Sequence, residues 1–535
     1  MESAMLGKMQ EFELRVPRLV EHAEREYPTR EIVTRWFDGR ETRTNWATIG
    51  RDSRRLAKAL ERAGLKPGDR VATLAMNHSR HLVAWYGTMG MGGILHTINP
   101  RLFPDQLAFI ANHASDRVML YDRMFAPIVE KMKPHWTTIE HYICFDPAEG
   151  EDGFEDWIGR ETGDYTWVEG SEREPCMLCY TSGTTGNPKG VLYSHRSSLI
   201  HAMSEVQPSV FDLSTRAVGM PIVPMFHAVG WGIPFSAPMV GMKLVFSCVN
   251  EPKILCELMN REKVTHSAGV PTVWFAMFQY MDATGAAPEH LQLVTIGGSA
   301  APRSMIERLM KMGIRVNHAW GMTETSPIGT VGARSHDWDE LSFEQQLDQV
   351  SRQGRAPFGI DMRIVDDAGH VLPRDGESSG RLMVRGPWVV DQYFEETERC
   401  VDAEGYFDTG DVAMIHPDGT MQITDRAKDV IKSGGEWISS VDLENAAVGC
   451  PGVAEAAAIG VHHPRWEERP ILLVVRKPGE EVSPDAIMAH LSNHVAKWWL
   501  PDEVHFVDEL PHTATGKLLK TALRERFKNY SLKAA

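Results

Sequence analysis

Ten consecutive residues combine hydroxyl groups, glycines and a closing lysine: Tyr180-Thr181-Ser182-Gly183-Thr184-Thr185-Gly186-Asn187-Pro188-Lys189. Glycines let backbone N–H groups come close to anionic oxygens, while hydroxyl side chains donate hydrogen bonds and Lys189 adds a positive charge. This composition predicts a loop that binds the phosphates of a nucleotide. A flexible surface linker has a similar composition, but the apolar runs Cys176–Tyr180 and Gly190–Tyr193 enclose the loop and favour the phosphate site.

The spacing within this loop differs from that of a Walker motif. That motif places glycine, lysine and then serine or threonine after four free positions. Counting from Gly183, Pro188 takes the place of the second glycine, and Lys189 precedes Gly190 instead of following a glycine. The sequence therefore disfavours a kinase or a P-loop ATPase.

Further short motifs follow the loop along the chain. They are Met225-Phe226-His227, Gly297-Gly298-Ser299-Ala300-Ala301-Pro302, Ala319-Trp320-Gly321-Met322-Thr323-Glu324, Tyr406-Phe407-Asp408-Thr409-Gly410-Asp411, Asp425-Arg426-Ala427-Lys428-Asp429 and Thr515-Gly516-Lys517. Together with the loop, this series resembles the adenylate-forming (ANL) acyl-CoA synthetases over nearly the whole chain. The segment Lys432-Ser433-Gly434-Gly435-Glu436-Trp437-Ile438-Ser439-Ser440 is similar to the medium- and long-chain fatty-acid–CoA ligases and to the 3-methylmercaptopropionate-CoA ligases.

The resemblance implies an ATP-dependent ligase that works in two half-reactions. A carboxylic acid attacks the α-phosphate of ATP to give acyl-AMP and pyrophosphate, and the thiol of coenzyme A then displaces AMP. Negative charge gathers at phosphorus or at a tetrahedral carbon, so oriented donors, cations and Mg²⁺ are expected to supply most of the catalysis. Two other classes stay open: an acyl-AMP ligase that loads a carrier protein, and a catalytically silent acyl- or nucleotide-binding regulator.

Two charged residues are expected to act at the phosphates. Lys517 matches the family lysine that reaches the α-phosphate and the substrate carboxylate during adenylation. Glu324 matches the family ligand of Mg²⁺, together with Thr184, and a site with few protein oxygens is usual for that cation. Taken alone, Lys517 is a solvated lysine and Glu324 a helix-capping acid, but the surrounding motifs favour the catalytic interpretation.

The resemblance also assigns the nucleotide site. Asp411 is expected to accept hydrogen bonds from the ribose hydroxyls and Arg426 to donate to them, although a turn aspartate is the alternative for Asp411. The residues predicted to bind ATP or AMP are Thr181, Ser182, Gly183, Thr184, Thr185, Gly186, Lys189, Gly298, Ser299, Ala300, His318, Ala319, Trp320, Gly321, Met322, Thr323, Asp411, Arg426, Lys428 and Lys432.

Lys428 lies at the family's hinge position. The C-terminal domain is expected to rotate there between the half-reactions, which removes Lys517 from the site. The loop Gly434, Gly435, Glu436 and Trp437 is expected to border the tunnel for coenzyme A. Trp437 resembles a gate residue, and a buried core tryptophan is its alternative.

The sequence departs from its relatives at the acyl pocket. They commonly read Phe-His-Val-Asn-Ala-Trp, whereas this chain reads Phe226-His227-Ala228-Val229-Gly230-Trp231. The changes at Val229 and Gly230 are expected to make the wall more apolar and slightly wider, which favours a hydrophobic acyl group over a small polar acid. A medium- to long-chain acid is expected, with a short thioether acid as the alternative. His227 is expected to be catalytic and to position the carboxylate end with Trp231; a packed core histidine is the alternative. The predicted acyl pocket comprises Phe226, His227, Val229, Gly230, Trp231 and Gly297.

Composition narrows the class of protein further. The chain has 535 residues with a formal net charge of -16, which argues against a nucleic-acid partner. No apolar run approaches the length of a membrane span, and an early acid with no apolar h-region argues against a secretory signal. Seven cysteines, an odd number, favour reduced thiols in the cytoplasm. The pair Cys176 and Cys179 is expected to lie in a buried strand rather than at a metal. The resemblance further implies a homodimer.

The pattern of apolar runs predicts an α/β fold. Helical and strand-like segments alternate through the first third, as in Ser53–Ala63, Arg70–Ala75 and Pro104–His113, and a second α/β unit is expected from about Pro175 to Thr330. Short strands after Gly354 predict a small β subdomain. We expect an N-terminal adenylation domain over 1–425 and a small, mobile α+β C-terminal domain over 426–535.

Overall fold

The computed structural model describes residues 7–181, 187–332, 334–433, 436–512, 518–528, 530 and 532, with only the main chain at 436 and 437. Its α-helices, numbered in chain order, are α1 (Pro17–Glu26), α2 (Trp46–Arg62), α3 (Ser79–Gly90), α4 (Pro104–His113), α5 (Ala126–Met132), α6 (Phe154–Gly159), α7 (His195–Glu205), α8 (Ile233–Val240), α9 (Pro252–Glu262), α10 (Pro271–Thr284), α11 (Arg303–Lys311), α12 (Phe343–Ser351), α13 (Ser440–Val448), α14 (Pro484–Leu491) and α15 (Lys520–Arg526).

The strands, numbered in the same way, are β1 (Glu31–Arg35), β2 (Glu41–Asn45), β3 (Arg70–Leu74), β4 (Ile94–Thr97), β5 (Asp116–Tyr121), β6 (His141–Cys144), β7 (Pro175–Tyr180), β8 (Gly190–Ser194), β9 (Val218–Pro221), β10 (Lys243–Ser247), β11 (His266–Gly269), β12 (Leu293–Ile296), β13 (Arg315–Gly321), β14 (Ile328–Val331), β15 (Asp361–Val365), β16 (Ser379–Arg385), β17 (Phe407–Ile415), β18 (Met421–Arg426), β19 (Ile431–Ser433), β20 (Glu436–Ile438), β21 (Val453–His463), β22 (Glu467–Arg476) and β23 (Glu503–Phe506).

Two large sheets form the N-terminal part of the molecule. The first has the strand order β6-β5-β3-β4-β7-β8, and the second has the order β14-β13-β12-β11-β9-β10-β1-β2. Most neighbours within both sheets are parallel, as expected when helices connect successive strands. Cys176 and Cys179 lie buried in β7, which confirms the predicted buried strand.

The strands of the two sheets do not follow the order of the chain: the first sheet contains β3 to β8, and the second contains β1 and β2 together with β9 to β14. Strands β7 and β8 join the first sheet through the pairing of β7 with β4, while β1 and β2 join the second sheet through the pairing of β1 with β10. The prediction that a second unit begins at Pro175 is therefore wrong for β7 and β8. A local apolar pattern identifies a strand but does not specify which distant strand it pairs with.

A four-stranded antiparallel sheet, β15-β16-β17-β18, follows the two large sheets. The turn His416–Gly419 joins β17 to β18, where Gly419 takes a φ of 83°. The predicted small β subdomain is confirmed. Since Asp411 pairs directly with Arg426 across β17 and β18, this hairpin places both predicted ribose-binding residues side by side.

The C-terminal part folds as a smaller α+β unit. Its sheet has the order β20-β19-β22-β21, with β23 beside β22, and α13, α14 and α15 accompany it. It has its own apolar core, built around Ile431, Leu443, Ala458, Leu472 and Ile487. The α/β class with a large N-terminal and a smaller C-terminal domain is thus confirmed. No helix in the described part of the chain is both long and apolar enough to cross a bilayer.

Candidate active site

Two adjoining spaces open beside the second large sheet and the β subdomain, and one of them also reaches the C-terminal unit. The first, which we call the inner cavity, has a volume of about 320 Å³ and is lined by Thr181, His227, Trp231, Glu324 and Asp408, among others. The second, which we call the domain cleft, has a volume of about 330 Å³ and lies between residues such as Ser299 and Asp411 on one side and Glu444 and Lys520 on the other. Both spaces share one set of wall residues: Gly298, Ala319, Trp320, Gly321, Met322 and Arg426.

Asp411 presents a buried carboxylate at the junction of these spaces. Its side chain is 8% exposed, Trp320 Nε1 donates a hydrogen bond to Oδ2 at 2.8 Å, and Arg426 Nε lies 3.3 Å from Oδ1. A buried carboxylate needs such partners because an unpaired charge is costly away from water. The indole and the guanidinium therefore fix this carboxylate at the wall of the cleft.

Trp320 depends on a glycine that faces it. A Cβ on Gly329 would lie 2.1 Å from the Trp320 ring, so any larger residue there would displace the indole. Gly297 has a similar role at the inner cavity, where a Cβ would lie 3.1 Å from the ring of Trp231. Small residues thus leave room for both tryptophans at the cavity walls.

His318 supports the wall from behind rather than lining it. It is fully buried, its Nδ1 lies 3.0 Å from the carbonyl oxygen of Ser351, and Ala301 N donates to its Nε2 at 3.1 Å. This arrangement requires the tautomer with the proton on Nδ1. Burial lowers the pKa of His318 to about 4, so the ring is neutral at pH 7. The imidazole holds the segment that includes Ser299 and Ala300 against β13.

Glu324 also lines the inner cavity. It is 7% exposed, and the Tyr393 hydroxyl donates a hydrogen bond to its Oε1 at 2.9 Å. Lys189 Nζ lies 4.7 Å from the centre of the Tyr393 ring, a cation–π distance. The end of the predicted phosphate loop is thereby brought to the predicted metal ligand. Within the described residues, no group of three or more His, Cys, Asp or Glu side chains could hold a metal ion.

His227 begins a left-handed turn. The next residues, from Ala228 to Gly232, all have positive φ, including 38° at Val229 and 52° at Trp231. Left-handed backbone costs a non-glycine residue about 1–2 kcal/mol, and it is rarest for β-branched side chains. Such strain persists only where surrounding contacts enforce it, and it is concentrated at functional sites.

Asn77 provides one such contact. This residue is 3% exposed; its Nδ2 donates to the carbonyl oxygens of Pro221 and Val223 at 3.0 and 2.8 Å, and its Oδ1 accepts from Met225 N at 2.7 Å. One side chain at the start of α3 thus fixes the strand end that leads into His227.

The comparisons with known proteins agree with this geometry. The model of the AMP-binding enzyme family matches residues 20–394, and that of the AMP-binding enzyme C-terminal domain matches residues 442–517. The chain belongs to the AMP-binding enzyme family. It is 45% identical to the 3-methylmercaptopropionyl-CoA ligase of Ruegeria pomeroyi, over 98% of this chain and 99% of that protein.

Two further relatives have nearly the same coverage. The medium-chain-fatty-acid–CoA ligase of Ectopseudomonas oleovorans is 42% identical over 99% of both chains, and the long-chain-fatty-acid–CoA ligase of Thermus thermophilus is 41% identical over 99% of this chain and 98% of its own. The crystal structure of an anthranilate CoA ligase with anthranoyl-AMP shares the fold, with a TM-score of 0.85 at 24% identity over 95% and 96% of the two chains. The predicted acid–CoA ligase, a family activity that uses ATP and coenzyme A, is confirmed.

The structure brings together most of the predicted site residues that it describes. Those that line the inner cavity or the domain cleft are Thr181, His227, Trp231, Gly297, Gly298, Ser299, Ala300, Ala319, Trp320, Gly321, Met322, Thr323, Glu324, Asp411, Arg426 and Lys428. Ser182, Gly183, Thr184, Thr185, Gly186, Gly434, Gly435 and Lys517 lie outside the described residues, as do the side chains of Glu436 and Trp437.

Some predicted residues do not line either space. Phe226, Val229 and Gly230 are buried behind Ala228 and Trp231, so the expected widening of the acyl wall by Val229 and Gly230 is not seen. The left-handed turn directs Val229 into the core. Lys432 is exposed on β19, where its backbone N–H donates to Glu468.

Sequence reasoning missed a buried polar network beside the cleft. The carboxylate of Asp425 accepts from the backbone and hydroxyl of Ser440, Lys520 donates to Ser440 Oγ at 2.6 Å, and Lys520 Nζ lies 2.7 Å from Glu444. Burial raises the pKa of Glu444 to about 7. Burial alone would lower the pKa of Lys520, but the charges of Glu444 and Asp425 outweigh it and raise that pKa. This network joins β18 to the C-terminal domain.

Proposed function

We propose that the enzyme activates a carboxylic acid with an apolar chain as its adenylate in the inner cavity and then transfers the acyl group to coenzyme A. The observation that carries this proposal is the shared wall of the two spaces, with the Asp411 carboxylate fixed at their junction. A nucleotide whose ribose meets Asp411 would have its phosphates near Thr181 and Glu324. The acid would then enter beside His227 and Trp231.

The ribose and adenine are bound by the residues at the junction. Asp411 accepts from the ribose hydroxyls and Arg426 donates to them, while the small residues Gly298, Ser299 and Ala300 leave space for a flat base. The position of Asp411 opposite Arg426 on adjacent strands supports this assignment. Trp320 orients the carboxylate through its indole N–H.

Mg²⁺ belongs to this proposal as a group that Glu324 and Thr184 would hold. The carboxylate of Glu324 fits such a site, because it faces the cavity as a hard oxygen donor and its partner Tyr393 keeps it in place. When bound, the cation would neutralise phosphate charge. Lys189, beside Tyr393, adds a second positive charge at the same end of the cavity.

In the first step, a carboxylate oxygen of the acid bonds to the α-phosphorus and the bond to pyrophosphate breaks. In the second step, the sulfur of coenzyme A bonds to the carbonyl carbon and AMP leaves. We assign His227 to orient the carboxylate end, which is supported by its place in the cavity wall beside Trp231. We assign Lys517 to the α-phosphate during the first step.

The domain boundary is part of the same proposal. We place the adenylation domain at 1–425 and the mobile domain at 426–535, with the hinge at Lys428, which lines the domain cleft. His512 and Leu518 pair with each other and line the cleft as well. Since these residues flank 513–517, their position supports an adenylating pose. The loop 434–437 would border the tunnel for coenzyme A.

The preferred acid is of medium to long chain in this proposal, with a short thioether acid as the alternative. The named activities of the three relatives support both. A cytoplasmic location and a homodimer are proposed with it. The free state of all seven cysteines supports a reducing compartment.

The test is AMP release from ATP and Mg²⁺ with straight-chain acids from acetate to palmitate and with 3-methylmercaptopropionate, each with and without coenzyme A. Turnover that depends on coenzyme A and peaks at one acid would support the ligase. Acyl-AMP that accumulates without such turnover would favour the carrier-protein ligase, and the absence of ATP–pyrophosphate exchange with every acid would refute the proposal.

A further inference from the structure

One aromatic side chain separates the inner cavity from a second apolar space. Phe211, in the turn after α7, lines the inner cavity and also a small cavity behind it, which we call the rear cavity. The rear cavity has a volume of about 20 Å³ and lies among Leu213, Met220, Ile233, Met242 and Leu293. Its free volume has room for about one water molecule and none for an acyl chain in this conformation.

The backbone on both sides of Phe211 is held firmly. Phe211 N donates to the carbonyl oxygen of Glu205 at 3.0 Å, and Asn317 Nδ2 donates to the carbonyl oxygen of Val210. On the other side, Arg315 Nη2 pairs with Asp212 at 2.6 Å. These contacts fix the main chain and leave the aromatic ring to divide the two cavities.

The wall of the rear cavity can change shape. Met220 and Met242 are unbranched thioethers, which repack more easily than branched side chains. Met242 also lies against the open face of Gly219, where a Cβ would come within 2.7 Å of the Met242 methyl group. Two side chains that bound the space behind Phe211, Met220 and Met242, can thus repack at low cost, while polar Ser267 donates to the Met220 carbonyl oxygen at 2.8 Å.

We propose that Phe211 sets the acyl chain length that the enzyme accepts, by closing the apolar end of the inner cavity. Short acyl groups fit in front of the ring, and longer ones require the ring to move so that the chain enters the rear cavity between Met220 and Met242. The inference rests on the proposed function, because it assumes that the acyl group lies beside Trp231 and Phe211. It assigns to one residue the choice between a short thioether acid and a longer fatty acid.

The test compares the wild-type enzyme with Phe211→Ala, Phe211→Leu and Phe211→Trp, by measuring kcat/KM for each acid from butyrate to palmitate with saturating coenzyme A. For Phe211→Ala we expect kcat/KM for acids two or more methylenes longer than the wild-type optimum to rise at least about tenfold relative to the optimum acid, since one methylene in an apolar pocket changes specificity by about that factor or more. Phe211→Leu should shift the profile in the same direction by less. Phe211→Trp should shift it towards shorter acids.

Phe278→Ala is the matched control, because Phe278 is a buried phenylalanine in a different core cluster and lines neither cavity. Its chain-length profile should equal that of the wild type. Met242→Ala enlarges the rear cavity while Phe211 stays intact, and it should also favour longer acids. This variant tests the proposal if Phe211→Ala does not fold.

Each outcome separates this inference from the proposed function. Wild-type turnover with unchanged profiles in the Phe211 variants and in Met242→Ala would overturn the role of Phe211 alone. A wild-type enzyme that forms no acyl-AMP from any acid would instead overturn the proposed function. Opposite shifts in Phe211→Ala and Phe211→Trp, with none in Phe278→Ala, would establish the inference.

Discussion

At the scale of single residues, Asp411 is the group that we propose to bind the ribose. The same aspartate could have served only to cap the bend after Gly410, but its carboxylate is instead bound by Trp320 and Arg426 at the wall of the cleft. We expect Asp411→Asn to raise the Kd for AMP by about 10- to 100-fold, because hydrogen bonds to a charged group contribute about 1.5–3 kcal/mol each. Calorimetric titration of AMP into the free enzyme measures this change.

Asp361→Asn is the control for that prediction, because Asp361 is exposed and pairs with Arg385 on the same small sheet. It should leave AMP binding unchanged. Equal affinities for AMP in Asp411→Asn and the wild type would contradict the ribose assignment.

Protonation of His318 is expected to make both the stability of the enzyme and its binding of AMP depend on pH. Its folded pKa of about 4 lies below the unfolded value of 6.5, so the unfolded chain binds more protons between these values. The stability that the neutral ring contributes is therefore present above pH 6.5 and is lost as the pH falls through about 4. A proton on Nε2 would also break the bond from Ala301 N. We expect AMP binding and the free energy of unfolding both to decrease across this window.

His318→Gln should reduce that pH dependence, since an amide can accept from Ala301 and donate to Ser351 without titrating. Denaturant unfolding and AMP binding from pH 7.5 to 4.5 compare the two proteins, with His336→Gln as an exposed histidine control. Identical slopes in His318→Gln and the wild type would assign the acid sensitivity to other buried histidines, such as His201.

At the scale of elements, the start of α3 controls the segment that carries His227. Asn77→Ala removes all three hydrogen bonds to Pro221, Val223 and Met225 and leaves their buried backbone groups unpaired. At about 1–3 kcal/mol for each unsatisfied group, we expect a loss of several kcal/mol in the free energy of unfolding. We also expect a reduced kcat for acyl-AMP formation well below the unfolding temperature, because His227 is no longer held.

Asn112→Ala provides the comparison for Asn77→Ala. Asn112 also makes three hydrogen bonds, to His135 and Thr137, but it lies on α4 away from both spaces. Both variants should be less stable, whereas only Asn77→Ala should lose kcat. A normal kcat in a folded Asn77→Ala enzyme would mean that Asn77 acts on stability alone.

Local signals in the sequence predicted many elements. A proline at the first position of α4 and the following apolar spacing locate that helix at Pro104–His113, as observed. The predicted helix Ser53–Ala63 begins earlier, at Trp46, because the side chain of Asn45 caps it by accepting from Thr48 N.

Residues that reach the site only through contacts between distant segments could not be predicted from the sequence. Asp411, Arg426 and Glu324 occur in short motifs, so their place at the cavity followed from the resemblance. Phe211 and Tyr393 occur in no such motif and reach the cavity only because distant segments fold around it. The inward direction of Val229 depends on a left-handed turn that no residue pattern indicated.

At the scale of the whole molecule, the network around Ser440 holds the C-terminal domain in the pose described. Asp425 lies on β18, next to the proposed domain boundary, and its carboxylate is bound by Ser440 at the start of α13, which Lys520 of α15 contacts in turn. Arg524 and Asp429 form a further ion pair beside it. Asp425, Ser440 and Lys520 are buried, so a rotation that moved the C-terminal domain away from Asp425 would break this network. Separating Asp425 from Ser440 and Lys520 would leave the charged Asp425 side chain without its hydrogen bonds from Ser440, and this charge would then have to be hydrated.

Ser440→Ala tests whether this pose is the one that forms acyl-AMP. The change removes the hydroxyl that links Asp425 to Lys520 and keeps the backbone N–H bond to Asp425, so the domain should still fold. The loss of about 1–3 kcal/mol from the pose should slow single-turnover acyl-AMP formation by about 5- to 100-fold. Thioester formation from supplied acyl-AMP and coenzyme A should be unchanged or faster, since the rotated pose gains population. Ser483→Ala, which removes the cap of α14 away from the cleft, should alter neither step. If Ser440→Ala instead slowed only the second step, the pose described would belong to thioester formation, and the assignment of Lys517 to this arrangement would fail.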